Sequence, residues 1–202
     1  MIDASAIILA GGKSQRMQIN KPFLRLGKVY LIEIVINKLK EIFDKIIIVT
    51  NKKNYSRMIS LFGFGVKVLQ DKVADKGPMA GLYAGLLSSE YPSAFVVACD
   101  MPFLNKSLIQ YMADRRGHYD IVIPESACGH FEMLYGFYTH NCLATIDNHL
   151  KKNELNLKSL LPCLNVRYIS PEEIKKFDPQ IRSFTNINTR EDLSKFKNGI
   201  FH

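Results

Sequence analysis

The stretch Ile7-Ile8-Leu9-Ala10-Gly11-Gly12-Lys13-Ser14-Gln15-Arg16-Met17-Gln18-Ile19-Asn20-Lys21-Pro22 decides the reading of this chain. It opens with an apolar run that reads as a buried strand. Two glycines break the run, and Lys13, Arg16 and Lys21 follow within ten residues. Glycines let a backbone pass close to a ligand and turn its N–H groups toward an anion. The cations can neutralise that anion. A strand ending in glycine and then supplying positive charge points to a nucleotide-phosphate site. Two familiar phosphate loops do not fit. G-x-x-x-x-G-K-S needs a glycine five places before Gly12, where Ile7 stands. G-x-G-x-x-G fails because Gly11 and Gly12 are adjacent.

Around this loop the chain is ordinary for a globular protein: 202 residues, 47% hydrophobic and 23% charged. Residues 1–202 read as one domain with enough chain for a substantial core. No apolar run approaches the roughly 20 residues that span a bilayer. The N-terminus lacks the basic start of a signal peptide. A cytoplasmic protein with no membrane partner is expected. Cys99, Cys128, Cys142 and Cys163 form no C-x-x-C pair, so neither a zinc knuckle nor a redox motif is suggested. The formal charge of +8 favours an anionic partner. Lys38, Lys40, Lys151 and Lys152 fall on expected helix faces, and no nucleic-acid module is present, so nucleic acid is not the expected partner.

Apolar strands alternate with helical patterns, which points to a largely parallel α/β sheet. Strands are expected at residues 6–9, 46–49, 66–69, 94–98, 120–123, 131–138 and 166–169. Helices are expected at 31–43, 55–61, 106–115, 142–150 and 157–161, with another opened by Pro171. Between the third and fourth strands lies Gly77-Pro78-Met79-Ala80-Gly81, where Pro78 suits the first turn of a helix. Ala80, Gly81, Ala84 and Gly85 recur there at helical spacing and permit close packing. The 94–98 run is fully apolar, as in a central strand, and leads into Cys99-Asp100-Met101-Pro102-Phe103. A carboxylate at the C-terminal end of such a strand lies where these sheets bind ligands. Magnesium prefers hard oxygen ligands and needs only one or two carboxylates beside phosphates and waters, so Asp100 is the candidate metal ligand. His130 and Glu132 make a lone His-x-Glu pattern that surface or structural roles explain.

Taken in order, these segments resemble the molybdenum cofactor guanylyltransferase family of nucleotidyltransferases. Leu9-Ala10-Gly11-Gly12-x-Ser14-x-Arg16-Met17 with Lys21 resembles its signature, although Gln18 stands where the family usually has glycine. Gly77–Gly81 is similar to Gly-Pro-Leu-Ala-Gly, with Met79 for leucine. Asp100-Met101-Pro102-Phe103 resembles the Asp-x-Pro-(Phe/Tyr) metal motif. Residues 133–138 are loosely similar to Pro-Leu-Phe-Ala-Leu-Tyr without the proline. The ending Phe184-Thr185-Asn186-Ile187-Asn188-Thr189-Arg190-Glu191-Asp192-Leu193 is similar to Phe-x-Asn-x-Asn-Thr-Pro-Glu-Asp-Leu, with Arg190 at the proline position.

The resemblance implies a three-layer, Rossmann-like nucleotide-diphosphosugar-transferase-type domain with a mostly parallel sheet. It implies transfer of GMP from GTP to the terminal phosphate of molybdopterin or its molybdenum-loaded form, with release of pyrophosphate and use of Mg2+. Arg16, Lys21 and Asp100 would be catalytic, with Asp100 on the metal. Leu9, Ala10, Gly11, Gly12, Lys21, Asn51, Asp71, Gly77, Pro78, Gly81 and Asp100 would bind nucleotide, and Asn186 and Asn188 the acceptor. Cofactor-delivery or acceptor molybdoenzyme proteins are implied partners. The acceptor nucleophile is already anionic, which agrees with the lack of any nucleophile-and-base triad. Two alternatives stay open at this point: a related transferase using CTP or a sugar-phosphate acceptor, and a non-catalytic nucleotide-binding regulator.

Overall fold

The computed structural model describes residues 1–11, 20–71, 76–126, 129–187 and 192. The elements are β1 (Ser5–Leu9), β2 (Arg25–Leu26), β3 (Val29–Tyr30), α1 (Leu31–Lys40), β4 (Lys45–Thr50), α2 (Lys52–Phe62), β5 (Lys67–Gln70) and α3 (Gly77–Leu87). They continue with β6 (Ser93–Ala98), α4 (Lys106–Ala113), β7 (Ile121–Pro124), β8 (Tyr135–Thr139), α5 (Cys142–Lys151), β9 (Val166–Ile169) and α6 (Pro171–Lys175). Seven strands form one sheet in the order β5-β4-β1-β6-β8-β7-β9. Every pairing is parallel except those of β8, which runs antiparallel to both β6 and β7. β2 and β3 make a separate two-stranded ribbon.

Side-chain alternation explains the layers. Ala6, Ile8, Ile46, Ile48, Phe95 and Val97 face one core with α1, α4 and α6. Ile7, Ile47, Val49, Ala94 and Val96 face the other, beneath α3 and α5. Both faces of β1, β4 and β6 are therefore covered, which is why these strands read as unbroken apolar runs. α3 packs close against the sheet. A Cβ on Gly85 would meet Ile7 Cγ2 at 2.6 Å, and one on Gly81 would meet Leu9 Cδ2 at 3.1 Å.

The expected elements are present; the helix expected at 31–43 ends at Lys40, and there are four further differences. The helix expected at 55–61 starts at Lys52, because the Asn51 side chain accepts from Asn54 N–H at 3.0 Å and caps it. The strand expected at 131–138 begins only at Tyr135. Tyr135 N–H donates to Glu132 O at 3.0 Å, closing a turn that breaks the apolar alternation. Residues 157–163 wind as a 3-10 helix with Pro162 inside, not as an α-helix. The residues after Lys21 form a 3-10 turn and the β2–β3 ribbon, too short to leave a periodic signal. Among the described residues no helix is long and apolar enough to cross a membrane.

Candidate functional site

Parallel strands β4, β1 and β6 end side by side, and their register brings the loops after them together. Leu9 lies opposite Val49 on one side and Ala98 on the other. Ala10 N–H donates to Val49 O at 2.8 Å, and Cys99 N–H donates to Leu9 O at 3.1 Å. The Thr50 hydroxyl donates to Ala10 O at 3.2 Å, and Asp71 N–H donates to Thr50 O at 2.7 Å. A Cβ on Gly11 would lie 3.4 Å from Asn51 N, so this backbone crossing is tight. Asp71, Asn51, Gly11 and Asp100 thus line up along one sheet edge.

Above that edge is a cleft of about 840 Å³, within the usual range of small-molecule sites. Leu9, Ala10, Gly11, Lys21, Asn51, Asp71, Gly77, Pro78, Gly81, Asp100 and Asn186 all line it. Gly12, Arg16 and Asn188, also expected at the site, lie outside the described residues. Gly77 takes φ +62°, a left-handed angle that turns the chain into α3. Pro78 follows in the first turn. Lys76, just before, is drawn away, donating to Leu150 O at 2.6 Å. Ile187 N–H donates to Asp100 O at 2.8 Å, which carries Asn186 into the cleft from the far end of the chain.

Charge in the cleft is organised around one ion pair. Lys21 Nζ donates to Asp100 Oδ2 at 2.9 Å. The lysine is kept there by its neighbour. Asn20 and Asn54 exchange side-chain amide hydrogen bonds of 2.7 and 2.9 Å, fixing the end of the opening loop to buried Asn54 on α2. Burial pushes the Cys99 thiol upward, with Asp100 adding to the effect and Lys21 opposing it, so Cys99 is an inert thiol in the cleft wall.

Asp100 suits a hard divalent cation. Its carboxylate oxygen already holds a cationic group at contact distance, and the cleft leaves room for phosphate oxygens and water. No cluster of three or more His, Cys, Asp or Glu side chains that could hold a metal occurs among the described residues.

Sequence reasoning passed over several cleft residues: Asn20, Pro22, Lys53, Asn54, Glu132, Met133 and Leu134. The cap spacing Asn51-x-x-Asn54 is a signal that finds Asn54. Glu132 has none, because its place in the cleft depends on β8 running antiparallel. Two residues after Ala98 on β6 comes Asp100, and the turn before β8 sits beside it: Ala98 N–H donates to Leu134 O at 3.3 Å. A parallel strand there would put residues 132–134 at the opposite edge of the sheet.

The family model described as MobA-like NTP transferase domain matches residues 6–165. The chain is 37% identical over 198 residues to a probable molybdenum cofactor guanylyltransferase of Peptoclostridium acidaminophilum, covering 95% of this chain and 87% of that protein. It is 34% identical over 198 residues to a molybdenum cofactor guanylyltransferase of Syntrophotalea carbinolica, covering 96% and 90%. The crystal structure of molybdopterin-guanine dinucleotide biosynthesis protein A from Archaeoglobus fulgidus superposes with a TM-score of 0.80 at 26% identity, covering 96% of this chain and 97% of that one.

Proposed function

Because the chain belongs to the MobA-like NTP transferase family, we propose that it transfers GMP from GTP to the terminal phosphate of molybdopterin, with pyrophosphate leaving. Relatives named molybdenum cofactor guanylyltransferase along nearly the whole chain support this reading. So does a cleft in which phosphate-directed, metal-directed and acceptor-directed residues meet at one sheet edge.

The reaction needs no protein nucleophile. An acceptor phosphate oxygen, anionic at neutral pH, attacks the α-phosphorus of GTP. The bond from that phosphorus to the bridging oxygen breaks, and its electron pair leaves with pyrophosphate. Two anions must be brought together and charge on the leaving group stabilised, so positioning and electrostatics carry the acceleration. The backbone at Leu9–Gly11 and the start of α3 at Gly77, Pro78 and Gly81 form the nucleoside wall, with Asp71 and Asn51 at its far end. Lys21, with Gly12 and Arg16, serves the triphosphate. Asp100 would hold Mg2+, which would supply charge neutralisation for the phosphates. Asn186 and Asn188 serve the acceptor.

The observation that carries the reading is the Lys21–Asp100 pair at the end of the central strand. It sets the cation for the phosphates and the carboxylate for the metal in one place. The test is formation of the guanine dinucleotide product with each of the four nucleoside triphosphates, Mg2+ and molybdopterin, by wild type and Asp100→Asn. Product with GTP alone, and at least a ~100-fold loss in the variant, is expected on the scale of one major electrostatic contact. Equal use of CTP, or full activity in Asp100→Asn, would overturn it.

A further inference from the structure

Among the described residues, Glu132 is the one carboxylate of the cleft that this mechanism leaves unused. Its main chain is fixed on both sides: Glu132 N–H donates to Pro124 O at 3.0 Å, and its carbonyl accepts from Tyr135 N–H at 3.0 Å. The side chain is half-buried beside Met133 and Leu134. Its carboxylate makes no hydrogen bond or ion pair with the described residues. Burial raises its carboxyl above the ordinary range, and the charges of His130 and Lys158 only partly offset this. A half-buried carboxylate that lines the cleft and spends no oxygen on a protein donor is open to the N–H groups of a ligand.

Strand order says which ligand. Asp100 ends β6, and the nucleoside wall lies on its β1 side. Glu132 lies on the other side, before β8. A phosphate chain centred on Asp100 therefore leaves the Glu132 side to the acceptor. We propose that Glu132 recognises the ring of the pterin acceptor, its two carboxylate oxygens accepting from the ring N3–H and the exocyclic 2-amino group of the 2-amino-4-oxopyrimidine edge. Two parallel N–H···O bonds to a carboxylate are the geometry that makes such pairs both strong and directional. Guanine presents the same donor pair, so the shared chemistry is a 2-amino-4-oxopyrimidine edge, and the arms of the test separate the two sources. The assignment rests on the functional reading above.

The test uses the full chain with Glu132→Gln and Glu132→Ala. Three quantities are measured: the KM for molybdopterin at saturating Mg2+ and GTP, the GTP Kd, and the melting temperature. Equilibrium binding of pterin, followed by its fluorescence, is compared with lumazine, which carries an oxo group in place of the 2-amino group. The acceptor KM should rise about 10- to 100-fold in both variants, as for a lost charge-assisted pair. Glutamine should be no better than alanine, since its amide turns a donor toward donors. The GTP Kd should stay within about twofold, and Glu132→Gln should melt no lower than wild type. Wild type should prefer pterin to lumazine about tenfold or more, and Glu132→Ala should lose the preference. An unchanged acceptor KM, or a lower melting temperature in Glu132→Gln, would overturn the assignment. A GTP Kd that weakens while the acceptor KM stays constant would move Glu132 to the guanine and overturn it equally. If wild type forms product but the variants keep its KM, the Glu132 assignment alone fails. If wild type forms no product, the functional reading fails, and the pterin–lumazine contrast still decides Glu132.

Discussion

Removing Lys21 should change metal binding and turnover in opposite directions. The ammonium of Lys21 rests on Asp100 at 2.9 Å, the two side chains being 30% and 13% exposed. At that separation and an effective dielectric constant near 20, the bare attraction is about 6 kcal/mol. Desolvation and side-chain ordering cancel most of it. Hydrogen bonds to charged groups keep about 1.5–3 kcal/mol and exposed pairs about 0–1, so this partly buried pair should retain ~1–2 kcal/mol. A divalent ion arriving without nucleotide must displace this ammonium. In Lys21→Ala it need not, and binding of Mn2+, counted by electron paramagnetic resonance as a stand-in for Mg2+, should tighten about 5- to 30-fold. Turnover should nevertheless fall by ~100-fold or more at saturating GTP and Mg2+, because the triphosphate loses its cation. Metal affinity that is unchanged or weaker in Lys21→Ala would refute the competition. Turnover within a few-fold of wild type would refute the role at the phosphates.

Further expectations concern the scaffold. Gly85→Ala forces a methyl to within 2.6 Å of Ile7 Cγ2, so it should cost ~1–3 kcal/mol by overpacking and weaken GTP by lifting α3; an unaltered melting curve with normal GTP Kd would contradict this. Gly81→Ala meets only the flexible tip of Leu9 at 3.1 Å and should be the milder of the two in the same melting and binding measurements. Asn54→Ala removes both amide bonds to Asn20, so kcat should fall several-fold through the misplaced Lys21, along with about 1–2 kcal/mol of stability, read by steady-state kinetics and denaturant unfolding. Burial alone would raise the Glu173 carboxyl, but Ser170 N–H, the Tyr111 hydroxyl, Arg167 and Arg115 outweigh it and hold it low. Its stabilisation is therefore present above the unfolded-state pKa and lost as pH falls through the folded one. Glu173→Gln should lower the melting temperature at pH 7 by a few degrees, flatten the acid-side decline and leave GTP affinity unchanged.

The sequence shows most of the sheet because its strands are buried on both faces, and burial on both faces leaves unbroken runs such as residues 6–9 and 94–98. Asp100 stands out in the sequence because chemistry at a strand end uses few residue types, and it does line the cleft. Two things are hidden. The partner of Lys21 is 79 residues away, so a lysine that local sequence presents as a loop cation is in fact half of a tertiary ion pair. The direction of β8 is also hidden, since alternation along a strand is identical read from either end. That ambiguity kept Glu132 out of the expected site, while the Glu132–Tyr135 turn, which leaves no mark on the apolar pattern, let the expected strand run back to residue 131. The helix capped by Asn51 is a smaller case, in which Asn54 reads as turn chemistry but is buried as half of an amide pair.

The strand order also divides the cleft by position in the chain. Its β1 side is lined from residues 9–81, its β8 side from residues 132–186, and residues 98–101 form the seam. The two walls line one cleft but are inherited as separate stretches of sequence. On the proposed assignment, a change in residues 132–134 alters what meets the acceptor and leaves the glycines at 11, 77 and 81 under their own constraint. Acceptor preference can therefore drift, or be exchanged by splicing a short segment, while the nucleotide half stays fixed. The lineage can explore new acceptors one wall at a time, with the seam at Asp100 as the part neither wall can alter alone.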